Sequence, residues 1–158
     1  MNHLSRLLLA ACTVCACGWG QVLVNQLPEA YVAVLRSDIE TRKTSVVQQN
    51  LTLSEDQARK FWPLQRSYEN DLSKLGDQCL DVIRDYVTNW DDLNNETARS
   101  LGKRLHDYRK RREDLRGKYF DRISKEISPM VAAKFFQIET QLEDMIDLGV
   151  ASSVPLIK

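Results

Sequence analysis

After roughly the first twenty residues, apolar side chains recur three and four positions apart along most of the chain, the period of an α-helix. The pattern is strongest over about 54–89, where Phe61, Leu64, Tyr68, Leu72, Leu75, Cys79, Val82 and Tyr86 form a heptad seam. The polar stretch Asp91-Asp92-Leu93-Asn94-Asn95 interrupts it and offers Asn caps for a following helix. A second seam then runs over about 95–125 through Ala98, Leu101, Leu105, Tyr108, Arg112, Leu115 and Tyr119. Two helices joined by so short a break are expected to pack antiparallel, as a rod of roughly 45–50 Å.

Weaker periodicity flanks this pair. Tyr31, Val34, Leu35, Ile39, Val46 and Val47 predict a helix over about 29–49. Ser128 followed by Pro129 reads as an N-cap and a first-turn proline. From there Val131, Phe135, Ile138, Leu142, Met145 and Ile146 predict a last helix over about 129–148, with Gly149 as its stop. The tail from Ala151 to Lys158, with Pro155 among apolar residues, is expected to be extended and to dock on a neighbour. Pro63, some nine residues into its helix, removes a hydrogen bond at a cost of about 3 kcal/mol. A kink is the favoured expectation there, a helix that starts later the alternative. The fold class is therefore all-α: a long antiparallel helical hairpin with flanking N- and C-terminal helices. A two-helix rod leaves Trp62, Phe135 and Phe136 short of cover, which favours a homodimer unless the flanking helices fold back to supply that cover.

The first twenty residues change the picture by compartment. A short polar stretch with Arg6 precedes an apolar run from Leu7 to Cys17, and Gly18 and Gly20 put small residues before Gln21. Residues 1–20 read as a cleaved signal peptide and 21–158 as one helical domain in the periplasm. Roughly 11 apolar residues fall short of the about 20 that a membrane span needs. A second processing route stays open: Leu9-Ala10-Ala11-Cys12 has the form of a lipoprotein box, and Cys17 ends a weaker version, so lipidation at either would add membrane attachment.

Losing Arg6 takes one of 22 basic residues and leaves 22 acidic ones, a net charge of −1 that gives no global steering. The charges are segregated all the same. Glu69, Asp71, Asp77, Asp81 and Asp85 make one long helix acidic, while Lys103, Arg104, Arg109, Lys110, Arg111, Arg112, Arg116 and Lys118 make the other basic. Cross-pairing of solvated faces explains most of this; the remainder is a basic surface for acidic clients or lipid headgroups. Nucleic acid is not expected as a partner, because no aromatic-interleaved platform accompanies the basic run. Arg112 falls on the seam and is expected to fix register, or the dimer, by pairing with an acid of the preceding helix. Cys79, also on the seam, reads as a small buried apolar residue or as one half of an intermolecular disulfide. His106 has no second His or Cys at ligand spacing, and no nucleophile triad or glycine-rich phosphate loop is recognisable. Neither an enzyme nor a cofactor or metal site is expected.

An internal match sharpens the reading. Leu53-Ser54-Glu55-Asp56-Gln57-Ala58-Arg59-Lys60-Phe61-Trp62 aligns with Ile127-Ser128-Pro129-Met130-Val131-Ala132-Ala133-Lys134-Phe135-Phe136, with Ser, Ala, Lys and Phe coinciding. Ser54 and Gln57 have the spacing of a capping box. The motif Leu53-Ser54-x-x-Gln57 at the head of a long hairpin, with a related second copy, resembles the LTxxQ (Spy/CpxP-like) family of periplasmic helical proteins, in an uncharacterised branch. Ser54 stands where that family has Thr, and Val131 stands where the second motif would have Gln. The resemblance implies a cradle-shaped dimer acting as an ATP-independent chaperone for unfolded or partly folded envelope proteins. Its alternative is a regulatory partner of one envelope sensor kinase or anti-sigma system. The expected binding surface is Phe61, Trp62, Arg109, Lys110, Arg111, Arg116, Phe135 and Phe136, with Leu53, Ser54, Gln57 and Ser128 as motif and cap residues.

Overall fold

A computed structural model of the chain describes residues 41–153. The leader with Cys12 and Cys17, the cleavage point before Gln21, the 29–40 part of the first expected helix and the 154–158 end of the tail lie outside the described residues. Those described are all-helical, with no strand among them. Helix α1 covers 41–50, α2 Glu55–Thr88, α3 Asn95–Glu126 and α4 Pro129–Ser153.

Local chemistry accounts for each start. Ser54 is extended, its hydroxyl accepts from the Gln57 N–H at 3.3 Å, and the Gln57 side chain accepts from the Ser54 N–H at 3.0 Å. Glu55 and Asp56 add negative charge at the positive end of α2. Asn94 caps α3 by accepting from Thr97 N–H at 2.9 Å, and Ser128 caps α4 by accepting from Val131 N–H at 3.2 Å. Helix α2 runs unbroken through Pro63, which excludes a later start. The missing N–H there leaves the Arg59 carbonyl without its intrahelical donor. Gly149 does not stop α4, which continues to Ser153. A glycine ends a helix by turning left-handed beyond it, and Gly149 lacks that backbone conformation.

Bonds between α2 and α3 run in opposite order along the two helices. Asp85 meets Arg104 near the connection, Gln78 meets Arg111 at 2.8 Å, Asp71 meets the Tyr119 hydroxyl at 3.0 Å, and Lys60 reaches the Glu126 carbonyl at 3.4 Å. Helix α4 then returns along α3, through Phe136 beside Phe120, Glu143 with Arg116 and Asp147 with Arg112.

The main core gathers where all four helices meet, from Val47, Leu51, Phe61, Leu64, Tyr68, Tyr119, Ile123, Val131, Ala132, Phe135 and Phe136. Phe61 and Phe135, equivalent positions of the internal match, pack edge to face with ring centroids 5.2 Å apart. Tyr68 contacts Tyr119, Phe135 and Phe136 in the same manner at 5.4–5.8 Å. At about 1.5–3 kcal/mol for each large apolar side chain enclosed, this cluster is the main source of stability. Toward the 89–94 connection the enclosure thins, and Val82 and Leu101 are the buried side chains described there.

Candidate functional site

Charge takes over where the apolar face of α4 ends. Val131, Ala132, Phe135 and Phe136 are followed by Glu139, three residues past Phe136, and by Glu143 four further on, which continue the same inward stripe. Glu139 is 0 % exposed. One of its oxygens accepts from Lys43 Nζ of α1 at 2.9 Å, and the same ammonium lies 3.2 Å from both carboxylate oxygens of Glu69 on α2. Gln65 donates to Glu69 from the preceding turn. Arg116 of α3 pairs with Glu143, donates to the Thr140 hydroxyl and lies over the Phe136 ring. Each of the four helices thus contributes a charged group. Within this cluster, the Tyr68 hydroxyl and one oxygen each of Glu139 and Glu143 are buried without a hydrogen-bond partner among the described residues.

Burial pushes the Glu139 carboxyl up to about 7; Lys43 opposes this, while Glu69 and Glu143 add to it. Lys43 moves the other way from its own burial. Desolvation pulls its ammonium down, but the carboxylates of Glu139 and Glu69 outweigh that and hold it above the ordinary lysine value. Burial, then the surrounding carboxylates, raise Tyr68, so its phenol stays protonated. The arrangement ties α1 to α2 and α4 through the Lys43 ammonium.

The expected binding surface is rearranged. Phe61, Phe135 and Phe136 are buried at 0–7 % exposure and form the core, because α1 and α4 fold over them. Trp62 is half-buried and lines an open hollow of about 440 Å³ with Ala58, Arg59, Pro63 and Arg66 on the outer side of α2. Arg116 is engaged in the charge cluster, whereas Arg109, Lys110 and Arg111 are exposed. Leu53 is half-buried against the core, and Ser54, Gln57 and Ser128 act as caps.

Arg112 pairs with Asp147 of α4 at 2.9 and 3.2 Å, which corrects the expected partner on α2; its position on α3 faces the returning helix. This bond is the largest cause of a guanidinium pKa above the ordinary value, and Arg112 also lies over the Tyr108 ring. Cys79 is a half-buried free thiol, raised first by burial and next by Asp147, which disfavours the reactive thiolate.

Two features do not follow from the apolar pattern of the sequence: the charge cluster, and the exposure of Met130, Met145, Ile146 and Leu148 of α4. The last three flank in sequence the Asp147 that pairs with Arg112 of α3. The internal match held a signal for the cluster. Carried one turn further at the same offset, it aligns Gln65 with Glu139 and Glu69 with Glu143, both pairs in helical register with Phe61 and Phe135.

Among the described residues no group of three His, Cys, Asp or Glu could hold a metal ion, and no helix is long and apolar enough to cross a membrane. No family model matches the chain, and neither a curated protein nor a solved structure matches it.

Proposed function

We propose that the mature chain, from Gln21 onward, is an exported periplasmic binding protein of the LTxxQ (Spy/CpxP-like) kind that holds unfolded or partly folded envelope proteins without ATP. In this reading α2 and α3 form an antiparallel hairpin, two copies pair, and contact with a membrane arises only if Cys12 or Cys17 is lipidated. The observation that carries it is the exposure of large apolar side chains on α4 and of basic side chains on α3, two helices that pair through Arg112 and Asp147. Met145 and Leu148 of α4, 64 % and 71 % exposed, flank in sequence the Asp147 that pairs with Arg112 of α3, and Arg109, Lys110 and Arg111 of α3 are exposed. Flexible, polarizable methionine together with cations suits clients of varied shape and acidic character.

The test is aggregation of a reduced, denatured client in the presence of rising amounts of the mature chain, with no nucleotide. Suppression near stoichiometric ratio, weakened by salt, is expected. Absence of suppression sinks the chaperone reading and moves the weight to a regulatory role on one envelope sensor, sought by crosslinking.

A further inference from the structure

We infer that the outer stripe of α2 around Trp62 is a docking face for an acidic amphipathic helix of a partner protein, one that carries an aromatic side chain and a carboxylate one turn apart. The stripe shares no side chain with the α3 and α4 surface proposed to hold clients, so the two readings fail separately.

The internal match carries it, because the second copy of the motif has its equivalent stripe covered. At the same offset Ala58 aligns with Ala132, Trp62 with Phe136, Pro63 with Gln137 and Arg66 with Thr140. Helix α3 closes the α4 stripe. Phe136 is 7 % exposed, the Phe120 ring lies 6.1 Å from it, and Arg116 donates to the Thr140 hydroxyl while lying over the Phe136 ring. A ring and a polar group four residues apart on one helix therefore suffice to cover this arrangement. The α2 stripe has no such cover among the described residues. Trp62 and Ala58 are half-buried and, with Arg59, Pro63 and Arg66, line the open hollow of about 440 Å³. Asp56 engages Arg59, whereas Arg66 is exposed and has no partner among the described residues.

Chemistry at the last of these positions sets the charge of the occupant. Thr140 accepts its bond from a cation of α3, but Arg66 in its place can only donate. The helix that covers α2 must bring an acceptor there, and a carboxylate is the acceptor that a guanidinium binds most strongly. The ring position keeps its character: Trp62 stands for Phe136 and offers a wide apolar face to an aromatic edge, with the Pro63 ring extending the floor. A helix antiparallel to α2, as α3 is to α4, sets its ring over Trp62 and its carboxylate, four residues earlier, beside Arg66. Glu55 lines the opposite end of the hollow, roughly 16 Å from Arg66 along the axis at about 1.5 Å per residue, and disfavours the reverse orientation.

Calorimetric titration of the full chain tests this with two alanine-rich helical peptides, one carrying glutamate four residues before phenylalanine, the other lysine in place of that glutamate. The glutamate peptide is expected to bind about fivefold more tightly than the lysine peptide. Arg66→Glu changes an exposed side chain and leaves the core untouched, and it is expected to invert that order by a similar factor. Trp62→Ala is expected to weaken the glutamate peptide at least about tenfold. Trp62 also leans on the core, so, should that variant fail to fold, Ala58→Gln serves instead by filling the hollow, with the same expected loss. The inference is overturned if the glutamate peptide does not bind, if the parent does not discriminate between the two peptides, or if Arg66→Glu leaves their order unchanged. Sedimentation of the chain alone gives the remaining outcome: self-association abolished by Ala58→Gln would assign the stripe to a second copy and overturn the inference as well.

Discussion

The two ends of the long helices are built differently. Around Phe61 and Phe135, four helices converge and enclose a ring cluster with a charged anchor beside it. Toward the 89–94 connection, α2 and α3 share a seam that is mostly half-buried, with Val82 and Leu101 enclosed and the rim laced by exposed pairs such as Arg104 with Asp85. Enclosure, and with it the hydrophobic contribution, is concentrated at one end, where the buried side chains of α4, from Val131 to Glu143, are packed. Stability is thereby concentrated in one part of the molecule, while the proposed binding surface uses exposed side chains of α3 and α4.

The largest expected effect tests that division. Phe135→Ala empties a site packed against Phe61, Tyr68 and Phe136, for a loss of about 3–5 kcal/mol in urea unfolding. Leu101→Ala in the arm, with one layer fewer around it, is expected to cost about 2 kcal/mol. Equal losses would mean that the arm is enclosed as fully as the base, and the contrast would fail.

How much of this was legible in the sequence differs by end as well. The seam residues from Phe61 to Tyr86 and from Leu101 to Tyr119 are readable because helical period and burial coincide in them. Ser54, Asn94 and Ser128 are readable because caps need short polar side chains with a specific reach. Lys43 and Glu139 are not readable as an anchor, since a lysine and a glutamate on amphipathic helices are ordinarily solvated. Only the register of Glu139 with Phe135 and Phe136 marks it as inward. A two-helix rod cannot cover Phe135 and Phe136, which is why the sequence pattern points to a surface for them, and α1 and α4 folding back removes that premise. Gly149 misled for a related reason: composition marks a residue able to end a helix, not one that turns left-handed.

A smaller effect addresses the strap between base and arm. Arg112→Leu removes the bond to Asp147, whose side chain is 54 % exposed, so solvent screening limits the expected loss to about 1 kcal/mol or less. The paired reading requires the variant to be less stable in thermal unfolding. A more stable variant would mean that burying Leu on the seam outweighs the strap, and that α4 is held beside the arm by Arg116 and Phe136 alone.

The smallest effect on stability carries the sharpest test of the division of labour. Arg109 and Lys110 lie on the exposed side of α3, away from the charge cluster, so Arg109→Glu with Lys110→Glu is expected to change unfolding free energy by no more than about 0.5 kcal/mol. The same change reverses the charge of the basic side chains that, with the exposed Met145 and Leu148, are proposed to hold clients. Affinity for an acidic unfolded client should fall, and its salt dependence should flatten, because the attraction that salt screens is gone. Titration calorimetry at low and high salt reads both quantities on one sample. Unchanged affinity at low salt would separate the basic face from client binding and leave the exposed apolar side chains of α4 as its sole carrier. Lost stability, by contrast, would show that the arm's outer charges help to hold the fold, and the division between its two ends would have to be redrawn.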